Sequence, residues 1–153
     1  EENGRCEAAE VAALCLANLY NSGGHRKITP DEYETIKKYL QKFPESMHIR
    51  AAFIIASEAI YSPSAEYKRV PDKIINKAKQ WSEQYPKKIE FQEAYFGLLF
   101  SRLKYAQAQD MRNEQRRVYR EMKTVAERAN YSEYNESNQL MESVDILHRV
   151  FGY

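Results

Sequence analysis

The sequence predicts an all-α protein: about three antiparallel helical hairpins plus a C-terminal capping helix, about seven helices in all. Three observations predict it. Apolar residues recur at helical spacing through most of the chain, and no segment sustains the period-two alternation of a half-buried strand. Clear helix starts and stops punctuate that pattern, with only 5 glycines in 153 residues. Finally, a stretch ending in an aromatic-Pro step, Tyr39-Leu40-Gln41-Lys42-Phe43-Pro44, returns as Trp81-Ser82-Glu83-Gln84-Tyr85-Pro86, and an apolar helix follows each copy.

The first helix is expected over about 6–20, with Ala8, Val11, Ala12, Cys15 and Leu19 inward and Gly23-Gly24 as its stop. Thr29-Pro30-Asp31-Glu32 then starts a second helix: Thr29 caps, Pro30 takes the first position and Glu32 closes a capping box. Tyr33, Ile36, Leu40 and Phe43 face inward, and Pro44 ends the helix by pushing Phe43 out of the helical region. A third helix, about 46–61, is apolar on more than half its circumference, as a helix covered on two sides would be. A loop over 62–70 containing Pro63 and Ser64 leads to Pro71 at an N1-like position. The fourth helix carries Ile74, Ile75, Ala78, Trp81 and Tyr85. The fifth has the cleanest stripe: Phe91, Ala94, Tyr95, Leu98, Leu99, Leu103 and Ala106. The next apolar set, Val118, Met122, Val125 and Ala129, is about one residue out of register, which places a turn or kink near 110–113. A seventh helix is expected over about 136–151 with Leu140, Val144, Leu147 and Phe151 inward.

Bulk properties bound the class. The length fits one domain, 1–153, with enough chain for a core. Hydrophobic content of 43% and charged content of 29% describe an ordinary soluble protein. A net charge of +1 gives no global attraction to nucleic acid or acidic membranes. The longest apolar run, 11–17, falls well short of the roughly 20 residues of a membrane span, and no signal segment opens the chain. The first residue is Glu rather than Met, so the stretch reads as part of a longer chain. Cys6 and Cys15, on one helix, stand about 13 Å apart along its axis and cannot bond to each other. Cys15 reads as a small core residue, and free thiols point to a reducing, cytoplasmic setting.

A shift of about 42 residues overlays Phe43-Pro44 on Tyr85-Pro86, Ile49 on Phe91, Ala52 on Ala94, Phe53 on Tyr95 and Tyr39 on Trp81. A weaker third copy falls at Ala129-Asn130-Tyr131, without the proline. The pattern resembles a divergent tetratricopeptide repeat: Phe91, Ala94, Tyr95 and Leu98 echo that family's first helix, and Pro44 and Pro86 its terminal proline. It departs in its period, in the bulk of Tyr39 and Trp81, and in Tyr95 where a small residue is usual. HEAT and armadillo units share the longer period. The resemblance implies a right-handed α-solenoid that scaffolds or senses by binding a peptide or another protein.

Chemistry is sparse. His25, His48 and His148 are far apart, with no Cys or His at ligand spacing, and no phosphate loop, His-Glu-x-x-His or nucleophile elbow occurs. No enzyme, catalytic residue, metal or cofactor is expected. By analogy, the contact residues of a protein-interaction module lie on the third and fifth helices off the core stripe: Arg50, Ser57, Glu58, Tyr61, Gln92, Ser101, Arg102 and Tyr105. Arg112, Arg116, Arg120 and Lys123, with Arg117 beside them, form a basic stripe. Its ordinary reading is a solvated face, since Glu114, Glu121 and Glu127 interleave and Glu133, Glu136 and Glu142 follow. Its functional readings are an acidic protein helix or a nucleic-acid backbone. Twelve tyrosines suit the wedge between hairpins or a peptide groove; Tyr39, Tyr95 and Tyr119 are assigned to the core. A regulatory domain of a larger signalling ATPase or other enzyme is the remaining alternative, and self-association a further partner class; no membrane partner is expected.

Overall fold

A computed structural model describes residues 2–21, 28–62, 68–131 and 139–153. Among them are seven α-helices and no strand: α1 (Glu2–Asn21), α2 (Pro30–Lys42), α3 (Met47–Tyr61), α4 (Asp72–Gln84), α5 (Ile89–Ala108), α6 (Arg112–Ala129) and α7 (Gln139–Phe151). No described helix is long and apolar enough to cross a membrane. Gly23-Gly24, His25, Pro63, Ser64, Glu133 and Glu136 lie outside the described residues, as does the side chain of Leu19. The chain divides into two compact units, Glu1–Ile60 and Tyr61–Tyr153.

In the first unit α1 packs on α2, through a different face from the expected one. Ala9 and Ala13 are buried, whereas Val11 is 63% exposed and Cys15 is exposed, so Cys15 is not a core residue. Apolar residues surround α1 from Ala8 to Leu16, so periodicity alone does not fix its face. α2 starts as its sequence dictates. Thr29 Oγ1 accepts from the Glu32 amide at 3.2 Å, and the Thr29 amide donates to Glu32 Oε2 at 2.9 Å. α2 and α3 form an antiparallel pair: Tyr33, in the first turn of α2, stacks on Phe53 at 5.8 Å and its hydroxyl meets Ser57 Oγ at 2.7 Å. Ser46 Oγ donates to Glu10 Oε1 at 2.5 Å, holding α1 to the turn between them. Every residue of α3 from Ile49 to Ser57 is buried.

In the second unit α4 begins one residue later than expected. Pro71 is the N-cap, extended at φ −60° and ψ 141°, and Asp72 is the first helical residue. Ile74, Ala78 and Trp81 are buried. On α5 the whole expected stripe from Phe91 to Ala106 is buried. Between α5 and α6 the chain makes a turn rather than a kink. Asp110 takes a left-handed φ of 50°, and the Met111 amide donates to the Ala106 carbonyl at 2.8 Å. This is the helix-ending arrangement usually built on glycine, here built on aspartate, which tolerates that region better than most residues. On α7, Phe151 is 47% exposed instead of inward. Gly152 turns at φ 67°, and Tyr153 takes the inner place. Its ring lies 5.3 Å from Tyr119, and its hydroxyl donates to Gln115 Oε1 and accepts from Gln107 Nε2, both at 2.9 Å.

The two aromatic-Pro turns have closely similar local geometry. Phe43 lies at φ −128°, ψ 65° and Tyr85 at φ −118°, ψ 61°; their amides donate to the Tyr39 and Trp81 carbonyls at 2.8 Å. Each turn closes alike, Ser46 on Phe43 at 3.2 Å and Lys88 on Tyr85 at 3.1 Å.

Replacing Thr29 with Ala should lower stability by about 1 kcal/mol in urea denaturation, the usual worth of an N-cap. Replacing Asp110 with Gly should raise it by up to about 1 kcal/mol, because glycine enters the left-handed region without strain; a loss of stability would mean that the aspartate side chain itself holds the turn.

Candidate ligand groove and basic face

α5 is the central helix of the second unit, and α4 and α6 both pack on it. The pairs are antiparallel. Gln92 reaches Ser82, and Arg102 reaches Asp72, from α5 to α4. Tyr95 reaches Glu121, and Arg102 reaches Glu114, from α5 to α6. α4 and α6 also meet each other, through Lys79–Glu121 at 3.6 Å and through Arg128 Nη1 donating to Ser82 Oγ at 2.8 Å. Between the three helices lies a groove of about 650 Å³. Ile75, Leu99, Met111, Val118 and the Tyr95 ring supply its apolar wall; Arg69, Asp72, Lys79, Arg102, Glu114, Arg117 and Glu121 supply its charges.

At the centre is Arg102, whose side chain is 5% exposed. Its Nη1 donates to the buried Val70 carbonyl at 3.1 Å and pairs with Asp72 Oδ1 at 2.7 Å; Nη2 pairs with Glu114 Oε1 at 3.2 Å. Asp72 also receives Arg69 at 3.2 Å, and Glu114 receives Arg117 at 2.8 Å. The hydrogen bond from Arg102, then that from Arg69, holds the Asp72 carboxyl below its ordinary value. Arg117, and less strongly Arg102, does the same for Glu114. Both carboxylates therefore stay ionised at neutral pH. Burial, followed by the charge of Glu121, pushes the Tyr95 hydroxyl well above the usual tyrosine value, so it remains a donor to Glu121 Oε1 at 3.0 Å.

The eight residues expected to contact a partner have a different immediate role where they are buried. Arg50, Ser57, Gln92, Ser101 and Arg102 are all buried, and each is hydrogen-bonded within the chain. Arg50 Nε donates to the Pro44 carbonyl at 2.7 Å, and its Nη2 to Glu45 at 2.9 Å. Gln92 Nε2 donates to the Ser82 and Tyr85 carbonyls at 2.9 and 3.1 Å. Ser57 and Ser101 bond the Phe53 and Gly97 carbonyls of their own helices. Glu58, Tyr61 and Tyr105 are half-buried. Of the eight, only Arg102 lines the groove. The expectation assumed that residues off the apolar stripe face solvent; on α3 and α5 the covered arc is wider than the stripe. The groove's other charges were missed because they come from separated segments, and no local spacing marks them. Among the described residues no group of three His, Cys, Asp or Glu could hold a metal.

The basic stripe lies on the outside of α6. Arg112, Arg116, Arg117, Arg120 and Lys123 are all exposed. Arg117 leaves the stripe for the groove, where Glu114 holds it and Arg102, and Glu121 is engaged by Tyr95 and Lys79. Arg112 pairs with Asp110 at 3.5 Å, and Arg120 Nε donates to the Arg116 carbonyl at 3.3 Å. Arg116 and Lys123 make no ion pair among the described residues. Glu127, exposed, ends the stripe one turn beyond Lys123.

Compared with protein-family models, with curated proteins and with solved structures, the chain matches none.

Replacing Arg102 with Met should lower stability in urea denaturation, because the buried Val70 carbonyl and the Asp72 and Glu114 carboxylates each lose a donor. The carboxyls whose folded values are lowered stabilise the protein above their ordinary values of 3.8 and 4.5. That contribution is lost as pH falls through the lowered folded values. Stability should therefore drop below pH 4.5 in the native protein and drop less steeply in the variant; identical acid slopes would show that Arg102 does not hold these carboxylates.

Proposed function

We propose that this chain is a non-catalytic protein-interaction module of the helical-hairpin-repeat kind, tetratricopeptide-like in its solenoid stacking, and that it receives an acidic segment of a partner protein on the outer face of α6. The observation that carries this is the stripe itself: Arg112, Arg116, Arg120 and Lys123 are exposed, and the neighbouring Glu114 and Glu121 are engaged on the groove side of the helix. An exposed basic face of this kind attracts an acidic partner and orients it. The matching turns after Phe43 and Tyr85 support the repeat reading. The burial of Arg50, Ser57, Gln92, Ser101 and Arg102 moves the proposed contact surface from α3 and α5 to α6. Two free cysteines, Cys15 exposed, suit the reducing, cytoplasmic setting of such a module.

Fluorescence anisotropy with a labelled peptide rich in glutamate tests the assignment. The triple variant Arg116→Ala, Arg120→Ala, Lys123→Ala should bind about tenfold or more weakly, with an unchanged melting temperature because all three side chains are exposed. Equal binding by the variant would remove α6 as the docking face. Binding of single-stranded RNA tighter than the peptide, weakening by about one unit of salt slope per cation removed, would replace the protein partner with a nucleic-acid backbone.

A further inference from the structure

We propose that the groove between α4, α5 and α6 is a binding site for a small amphipathic carboxylate, an aliphatic or aromatic acid of roughly ten to twenty non-hydrogen atoms. Of the α6 cations only Arg117 lines the groove; Arg112, Arg116, Arg120 and Lys123 do not.

The charges form an alternating chain: Arg69, Asp72, Arg102, Glu114, Arg117. It begins and ends on arginine, so three guanidinium groups face two carboxylates. Lys79 and Glu121 cancel each other. One positive charge is left over in a concave site. Arg102 is not where that charge is offered, because Nη1 and Nη2 are already bonded to Val70, Asp72 and Glu114. Its role is positioning: it fixes the two carboxylates that in turn anchor the outer arginines. Those two have capacity to spare. Arg69 is 46% exposed and is held through Nη2 on Asp72; Arg117 is 68% exposed and is held through Nε and Nη2 on Glu114. They stand on different elements, one before α4 and one on α6, and line the same groove.

The wall beside them is apolar. Ile75, Leu99 and Val118 form it together with Met111, which is 43% exposed. An inorganic anion satisfies only the charge, and a hydrocarbon only the wall. An acid with an apolar body satisfies both, its carboxylate between Arg69 and Arg117 and its body over Met111, with fork-shaped donors suited to a planar carboxylate. The volume of about 650 Å³ lies in the range of small-molecule sites.

Calorimetric titration of the full chain with sodium octanoate, octan-1-ol and sodium acetate tests this. Octanoate should bind about tenfold or more tightly than either control. The double variant Arg69→Gln, Arg117→Gln should lose about tenfold in octanoate affinity and keep its octanol affinity, while Met111→Gln weakens both. Equal affinity for octanoate and octanol, no saturable octanoate binding up to about 10 mM, or an unaffected double variant would overturn the proposal. The triple variant Arg116→Ala, Arg120→Ala, Lys123→Ala should bind octanoate normally; a loss there would place the acid on the outer face of α6 and not in the groove.

Discussion

The guanidinium of Arg102 ties the segment before α4, the first residue of α4 and the first turn of α6 to the C-terminal half of α5. Removing a guanidinium from water is costly, and only several well-placed acceptors make it tolerable. Here the acceptors are a backbone carbonyl and two carboxylates from two separate stretches of chain, 70–72 and the first turn of α6. Each must be in place for the arginine to stay where it is. Satisfying that one buried group brings the starts of α4 and α6 to the same place on α5, and the groove lies beside it.

A related constraint operates at the two aromatic-Pro turns. A chain that leaves a helix at Phe43 or Tyr85 and re-enters another within a few residues exposes carbonyls with no partner in either helix. Arg50 bonds the Pro44 carbonyl in one turn, and Gln92 the Ser82 and Tyr85 carbonyls in the other. Both residues stand early in the helix that follows the turn, at the same distance from the proline. A long polar side chain there supplies from the side what the backbone lacks, and the burial of both follows from that task.

Much of the helical pattern could be read from the residues. The capping box at Thr29 and the full stripe of α5 from Phe91 to Ala106 follow local rules, and the structure matches them. The face of α1 did not follow, since its apolar residues run all round and Ala9 and Ala13 are what pack. Spacing alone places Phe151 inward, but Tyr153, two residues on, packs against Tyr119 instead. Polarity usually means exposure, which places the polar residues of α3 and α5 at the surface. The exception is a polar group with a specific acceptor, and acceptors distant in sequence leave no local mark. The groove was unreadable for the same reason: Arg69, Arg102 and Arg117 meet only once three helices are packed.

Trp81 is the sole tryptophan of the chain, and it is buried on α4 in the second unit. Its fluorescence therefore follows the packing around α4, while the far-ultraviolet circular dichroism signal sums over helices in both units. If the units unravel together, the two optical traces coincide; if one comes apart first, they separate. The placement of one indole thus makes the cooperativity of the whole molecule measurable without any label.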